Sequence, residues 1–274
     1  YENTTASGNT AIGNEALRLN TTGISNVAVG LYALNANTTA SNNTAVGKSA
    51  LEANTTGTYN TVVGSLATTQ NTTGAYNTVL GGQGLQNNTS GDFNTALGVF
   101  SLKNNTTADH NVGVGAYALN LNTTGFSNVG VGYKALEDNT TGANNVALGT
   151  FALDANTAAS NNVAIGRAAL TNNTTGNSNV ALGSNALYNN STASNNTGLG
   201  FHALYENLTG HSNAAVGTSA LDANTTGSYN IAFGKDALGS NTTANNNIAI
   251  GFNALLTNTT GSQNVSLGVE ALKE

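Results

Sequence analysis

The sequence predicts an all-β fold, a parallel β-solenoid (β-roll) of sixteen 17-residue coils, expected to associate as a trimer or filament. Three observations predict it. From Asn3 onward the chain repeats every 17 residues without an insertion or deletion, and three columns of that repeat never vary. An aliphatic residue or Phe233 fills a further column in every copy, which a disordered low-complexity tract has no reason to preserve. A globular domain tolerates drift in loop length, whereas a stack of like coils does not, so the register itself is the strongest sign of a solenoid.

With Asn3 as phase 1, the unit reads N-T-T-(G/A)-x-x-N-(T/V)-A-(V/I/L)-G-x-x-A-L-x-x. The opening N-T-T-G is turn chemistry. Its Asn also begins an N-x-(S/T) sequon at Asn3, Asn20, Asn37, Asn54, Asn71, Asn88, Asn105, Asn122, Asn139, Asn173, Asn190, Asn207, Asn224, Asn241 and Asn258. If these side chains are exposed, they are candidates for N-glycosylation, although a structural turn repeated in register is the plainer reading.

Phase 7 is the second invariant Asn column (Asn9, Asn26, Asn43, Asn60, Asn77, Asn94 and on to Asn264), and in a stack its amides can ladder to the rungs above and below. Phases 7 to 10, as in Asn26-Val27-Ala28-Val29, are a short β-branched run ended by Gly, predicting one strand per coil. Phase 10 is expected to face the core. Phase 9 is restricted to Ala, Gly, Val and Ser, so that face is expected to approach a neighbour closely and to be a candidate for packing between chains.

The invariant glycines at phase 11 (Gly13, Gly30, Gly47, Gly64, Gly81, Gly98, Gly115, Gly132 and their successors) predict a structural turn with positive φ, or a contact with no room for Cβ. Phase 4 tolerates Ala and predicts a steric limit only. Ala-Leu at phases 14 and 15 is the second apolar anchor, with Gly84, Ser101 and Thr68 as its departures. Phases 12 to 17 could instead form one helical turn, which between Gly and Asn is marginal. A coil this short is expected to enclose one Leu and one or two Val or Ile side chains, and sixteen of them to make a narrow rod of roughly 75 Å.

The charges decide which positions face water, because an unpaired charge in a narrow core is costly. All 20 charged side chains fall at phases 5, 12, 13, 16 or 17, giving a net charge of −6 with no basic stripe for a phosphate backbone, so nucleic-acid binding is not expected. With no Cys there is no disulfide framework or thiol chemistry, and no apolar run approaches the ~20 residues of a membrane span. One repetitive domain, 1–274, is expected, and the start in mid-repeat suggests a segment of a longer fibre.

Catalytic and cofactor signals are close to nil. His110, His202 and His211 fall at unrelated phases, no acid pair recurs, and Gly81-Gly82-Gln83-Gly84 lacks the Lys and following helix of a phosphate loop. Neither an enzyme nor a cofactor is expected, and Asp109 beside His110 reads as a pair of surface neighbours before it reads as a metal site. All but one of the aromatic residues occupy phases 5, 6, 12, 13 or 16, either contacting a ligand or another chain or covering grooves between coils. Thr at phases 2 and 3 raises a distant alternative, an ice-binding face, but adjacent residues of a strand point to opposite sides.

The segment Asn43-Thr44-Ala45-Val46-Gly47-Lys48-Ser49-Ala50-Leu51 resembles the head repeats of trimeric autotransporter adhesins, and the longer N-T-T-G-x-x-N-T-A-x-G-x-x-A-L unit is similar to repeat arrays of bacterial surface and phage tail-fibre-like proteins. The resemblance implies trimerisation and a place outside the cell, at the cell surface or on a virion fibre. The adhesin unit is a few residues shorter, so the added N-T-T-G turn could alter the coil.

The expectation is a non-catalytic extracellular fibre, filament or adhesin stalk whose partners are copies of itself. The alternative is a receptor-binding tail-fibre or adhesin-head module that contacts glycans or a cell-surface receptor through the variable phases. No membrane insertion by this segment is expected.

Overall fold

The computed structural model describes residues 3–273 and groups the chain into two compact units, Tyr1–Thr141 and Gly142–Glu274. Both are parallel β-solenoids, and no helix occurs among the described residues. The first unit carries β1 (Thr10–Ile12), β2 (Val27–Val29), β3 (Thr44–Val46), β4 (Thr61–Val63), β5 (Thr78–Leu80), β6 (Thr95–Leu97), β7 (Val112–Val114) and β8 (Val129–Val131). The second carries β9 (Val146–Leu148), β10 (Val163–Ile165), β11 (Val180–Leu182), β12 (Thr197–Leu199), β13 (Ala214–Val216), β14 (Ile231–Phe233), β15 (Ile248–Ile250) and β16 (Val265–Leu267).

Within each unit successive strands pair in parallel at a shift of one full repeat, as Ala28 opposite Ala45 and Ala164 opposite Ala181. Backbone bonds such as Val27 N–H to the Asn43 carbonyl and Gly47 N–H to the Val29 carbonyl, each 2.8 Å, link one coil to the next. The strand occupies phases 8 to 10, one residue shorter than expected, because phase 7 Asn spends its side chain and backbone on the neighbouring coils.

The strand faces are the reverse of the sequence expectation. Phase 9 points inward and is buried, whereas phases 8 and 10 point outward, as the period of two requires once phase 9 is inside. Ala28-type residues are therefore core, and their smallness reports the narrow width of the coil rather than a contact between chains. Phase 10 is not core. Ile12, Leu80, Leu182, Leu199, Phe233, Ile250 and Leu267 are all exposed.

Each layer thus encloses one Leu and two Ala, as Ala28, Ala33 and Leu34, with no Val or Ile from phase 10. The departures compensate for one another. Gly84 leaves room for Val79, whose Cγ1 lies 2.8 Å from where a Cβ on Gly84 would be, and Ser101 Oγ donates to the Gly113 carbonyl at 2.9 Å over the small phase 9 residue.

Phases 12 to 17 form a turn whose residues at phases 13 and 15 both take left-handed φ, as Tyr32 (58°) and Leu34 (52°). A left-handed non-glycine costs about 1–2 kcal/mol, and burying a Leu contributes about 1.5–3 kcal/mol, so Leu outcompetes Gly at phase 15. Leu34 N–H also donates to the Ala50 carbonyl at 3.0 Å, which ties the strained turn to the next coil.

Candidate interaction surfaces

The two invariant Asn columns lie inside the coil. From Asn20 to Asn241 the phase 1 side chains are fully buried, as are those of Asn26, Asn43, Asn60 and Asn77, with Asn94 almost so. Asn37 Nδ2 donates to Asn20 Oδ1 (2.9 Å) and to its own turn's Ala40 carbonyl (3.0 Å), while Asn37 Oδ1 accepts from Asn54 Nδ2 (3.1 Å). In the other column Asn26 Oδ1 accepts from Asn43 N–H (3.0 Å), and Asn26 Nδ2 donates to the Ala40 carbonyl (2.8 Å). Both columns converge on the phase 4 carbonyl, where a side chain larger than methyl has no place.

This arrangement removes the exposure on which a sugar column depends. An Asn side chain whose amide is buried and bonded on both sides leaves no room for a glycan in the folded coil, and its bonds are those of a turn repeated in register. Of the sequon asparagines among the described residues, only Asn3 and Asn258 escape this burial.

The phase 11 glycines satisfy both conditions proposed for them. Gly47 has φ 135°, and a Cβ there would lie 2.5 Å from the Gly64 carbonyl oxygen. At phase 4, a Cβ on Gly57 would collide with the Gly74 carbonyl unless that carbonyl shifted, yet six coils hold Ala there. No two successive coils both carry Ala there, which leaves the next coil free to accommodate the change.

The exterior divides into a charged and a charge-free side. Phases 6 to 11 carry no Asp, Glu, Lys or Arg, and their outward residues are the aliphatic column of phase 10 and a mixed column at phase 8, where Thr44, Thr61 and Thr78 stand beside aliphatic residues such as Val27 and Val129, flanked by phase 6. In the first unit Tyr59, Tyr76, Phe93 and His110 at phase 6 form an exposed stack with centroid separations of 5.1, 4.9 and 5.2 Å. Along this stack Tyr59, Tyr76 and Phe93 stay about half exposed. Each holds left-handed φ, between 57° and 60°, which ring-on-ring contact of about 0.5–1.5 kcal/mol partly offsets.

Phase 5 acceptors serve the backbone. Asp92 Oδ1 accepts from Ala75 N–H and Asp109 Oδ1 from Asp92 N–H, both at 2.7 Å, so Asp109 is committed to the coil and not to His110. No three His, Asp or Glu side chains converge on a metal-sized site among the described residues. Phase 2 hydroxyls bond along the stack, as Thr21 Oγ1 to the Thr38 carbonyl at 3.0 Å, and phase 3 side chains are exposed. Burial, reinforced by Asp236, raises the pKa of Asp222, and burial with Glu137 raises that of Asp138. A hydrogen bond from Lys273 lowers that of Glu270.

No helix among the described residues is long and apolar enough to cross a membrane. No protein-family model matches the chain, and no curated protein sequence matches it.

Proposed function

We propose that the chain is a non-catalytic structural element, an extracellular fibre, filament or adhesin stalk whose coils associate with further copies through the outward face of phases 8 and 10. The observation that carries this reading is the charge-free face with its column of exposed phase 10 side chains, such as Leu80, Leu182, Phe233 and Leu267, since monomeric proteins rarely expose long apolar rows. Two outward positions 6.6 Å apart on coils 4.8 Å apart give about 32 Å² per coil, hence roughly 250 Å² for eight coils before the flanking phase 6 rings are added. A stable pair needs about 800 Å² per partner, so the phase 6 and phase 12 columns must share the contact. The resemblance to adhesin-head and tail-fibre repeats supports a trimer and a place outside the cell.

Light scattering after size-exclusion chromatography tests it. The unaltered chain is expected to be multimeric, and Leu80→Lys with Leu182→Lys, placed on exposed strand ends, is expected to yield a monomer with unchanged circular dichroism. An unaltered chain that runs as a monomer at tens of micromolar overturns the proposal. The stacked rings of phase 6 favour the second reading, a receptor-binding module, in which exposed aromatic edges meet a partner's apolar surface.

A further inference from the structure

One surface column lies outside both the core and the face assigned to assembly. Phase 3 is Thr in fourteen of the sixteen coils, with Ser90 and Ala158 the departures. In the first unit Thr22, Thr39, Thr56, Thr73, Thr107 and Thr124 are all exposed, on coils stacked at a step of about 4.8 Å. Phase 12 is exposed as well, yet it holds Leu31, Lys48, Ser65, Val99 and Tyr133. Exposure by itself therefore does not fix a residue type in this repeat.

The fold does not ask for a phase 3 hydroxyl. The backbone N–H there bonds to the next coil, as Thr56 to the Thr72 carbonyl at 3.2 Å, which any residue with an N–H can do. The hydroxyl itself makes no hydrogen bond to the protein among the described residues, and Ala158 does without it. The phase 2 hydroxyl beside it is committed, as Thr55 Oγ1 to the Thr72 carbonyl and Thr72 Oγ1 to the Thr89 carbonyl, each at 3.0 Å. What selects Thr at phase 3 is then what the column meets outside the chain.

Neighbouring residues point to opposite sides in a strand, but phases 2 and 3 form a bend, and Thr72 and Thr73 both reach solvent. Two adjacent ranks of methyl and hydroxyl groups thus run along the stack. The phase 2 rank is held in place by its own bonds, and phases 1 to 4 carry no Asp, Glu, Lys or Arg. A row of like neutral groups at a fixed step suits a partner that repeats at a like step, because weak contacts add when one body carries all of them and the spacings agree. Ice is an uncharged, hydrogen-bonding surface with a lattice repeat close to this step. Ordering a water from the liquid costs entropy, a cost that water already held in a crystal does not carry.

We propose that the Thr columns of phases 2 and 3 bind the surface of ice crystals, with the coils of Thr22 to Thr124 seated on successive lattice rows. The columns lie apart from phases 6 to 12, so their occupancy does not depend on the assembly proposed above.

Thermal hysteresis and the shape of a single ice crystal, followed up to millimolar protein, are the test. The unaltered chain is expected to depress the growth temperature and to facet the crystal. Thr56→Lys with Thr73→Lys, in the middle of the row, is expected to reduce the hysteresis several-fold. Gln83→Lys, at a phase where Lys134 already stands, is expected to leave it unchanged. Circular dichroism and oligomeric state are expected to be the same in all three chains. Absence of hysteresis and faceting, an equal loss in Gln83→Lys, or full activity in the double variant overturns the proposal, as does retention on crystalline cellulose or chitin in place of ice.

Discussion

Replacing Asn71 with Ala isolates what the inner ladder contributes. Asn71 Nδ2 donates to Asn54 Oδ1 at 2.8 Å and to the Gly74 carbonyl at 2.9 Å, and its Oδ1 accepts from Asn88 Nδ2 at 2.8 Å. The Gly74 carbonyl keeps a second donor, Asn60 Nδ2 at 2.9 Å, so it is not orphaned. Asn54 Oδ1 loses its donor, and one N–H of Asn88 loses its acceptor. Each stranded buried polar group costs about 1–3 kcal/mol, giving a destabilisation of roughly 4 kcal/mol for the pair.

In a stack where each coil touches only its neighbours, that loss is local. Hydrogen exchange is therefore the assay, with protection expected to fall in the coils that begin at Asn54, Asn71 and Asn88 and to hold in the coil of β1. Urea denaturation gives the total. A change below about 1 kcal/mol, or a loss of protection spread evenly over the first unit, would refute the idea that the ladder stabilises the coil by direct bonding.

Two further predictions concern backbone and charge. Gly47→Ala puts a Cβ at φ 135° and 2.5 Å from the Gly64 carbonyl, so it is expected to cost at least about 3 kcal/mol in a urea melt. Gly74→Ala, flanked by Gly57 and Gly91 at the same phase, puts a Cβ 2.6 Å from the Gly91 carbonyl oxygen, and because coils with Ala at this phase already exist it is expected to cost less than Gly47→Ala, about 1–2 kcal/mol. The raised pKa of Asp222 means the folded chain holds its proton more tightly than the unfolded chain. The associated stability is present below the ordinary value of 3.8 and is lost as pH rises through the raised pKa. Asp222→Asn is expected to gain up to about 0.5 kcal/mol at pH 7 and nothing at pH 3, read from urea melts at the two pH values.

The solenoid, its 17-residue period, the Gly turn and the wet phases were legible because each follows from a rule that acts on every coil in the same way. The inward face was not. Smallness at phase 9 has two causes, a narrow core or a close external neighbour, and only the width of the coil separates them. A signal was present nonetheless. Thr fills phase 8 in many coils, as Thr44 and Thr61, and phase 8 shares its parity with phase 10, so a polar-tolerant face had to include both. The left-handed φ of Leu34 was invisible for a different reason, since core burial at phase 15 selects Leu over the Gly that the backbone would prefer.

Two kinds of column therefore coexist in one repeat. The fixed ones, Asn20, Asn26 and Gly30 with their equivalents, have no freedom because each bonds or packs against its own copy in the next coil. Substitution at one coil strands a partner in another, which is why recognition cannot be built there. The variable columns are tied between coils by backbone bonds that any residue can make, as Tyr32 N–H to the Asn14 carbonyl, so their side chains change in size from coil to coil, as at Ala168 between Phe151 and Asn185. Coil-to-coil variation is thereby confined to side chains outside the ladders and the core, which is where the 20 charged residues of the sequence also lie.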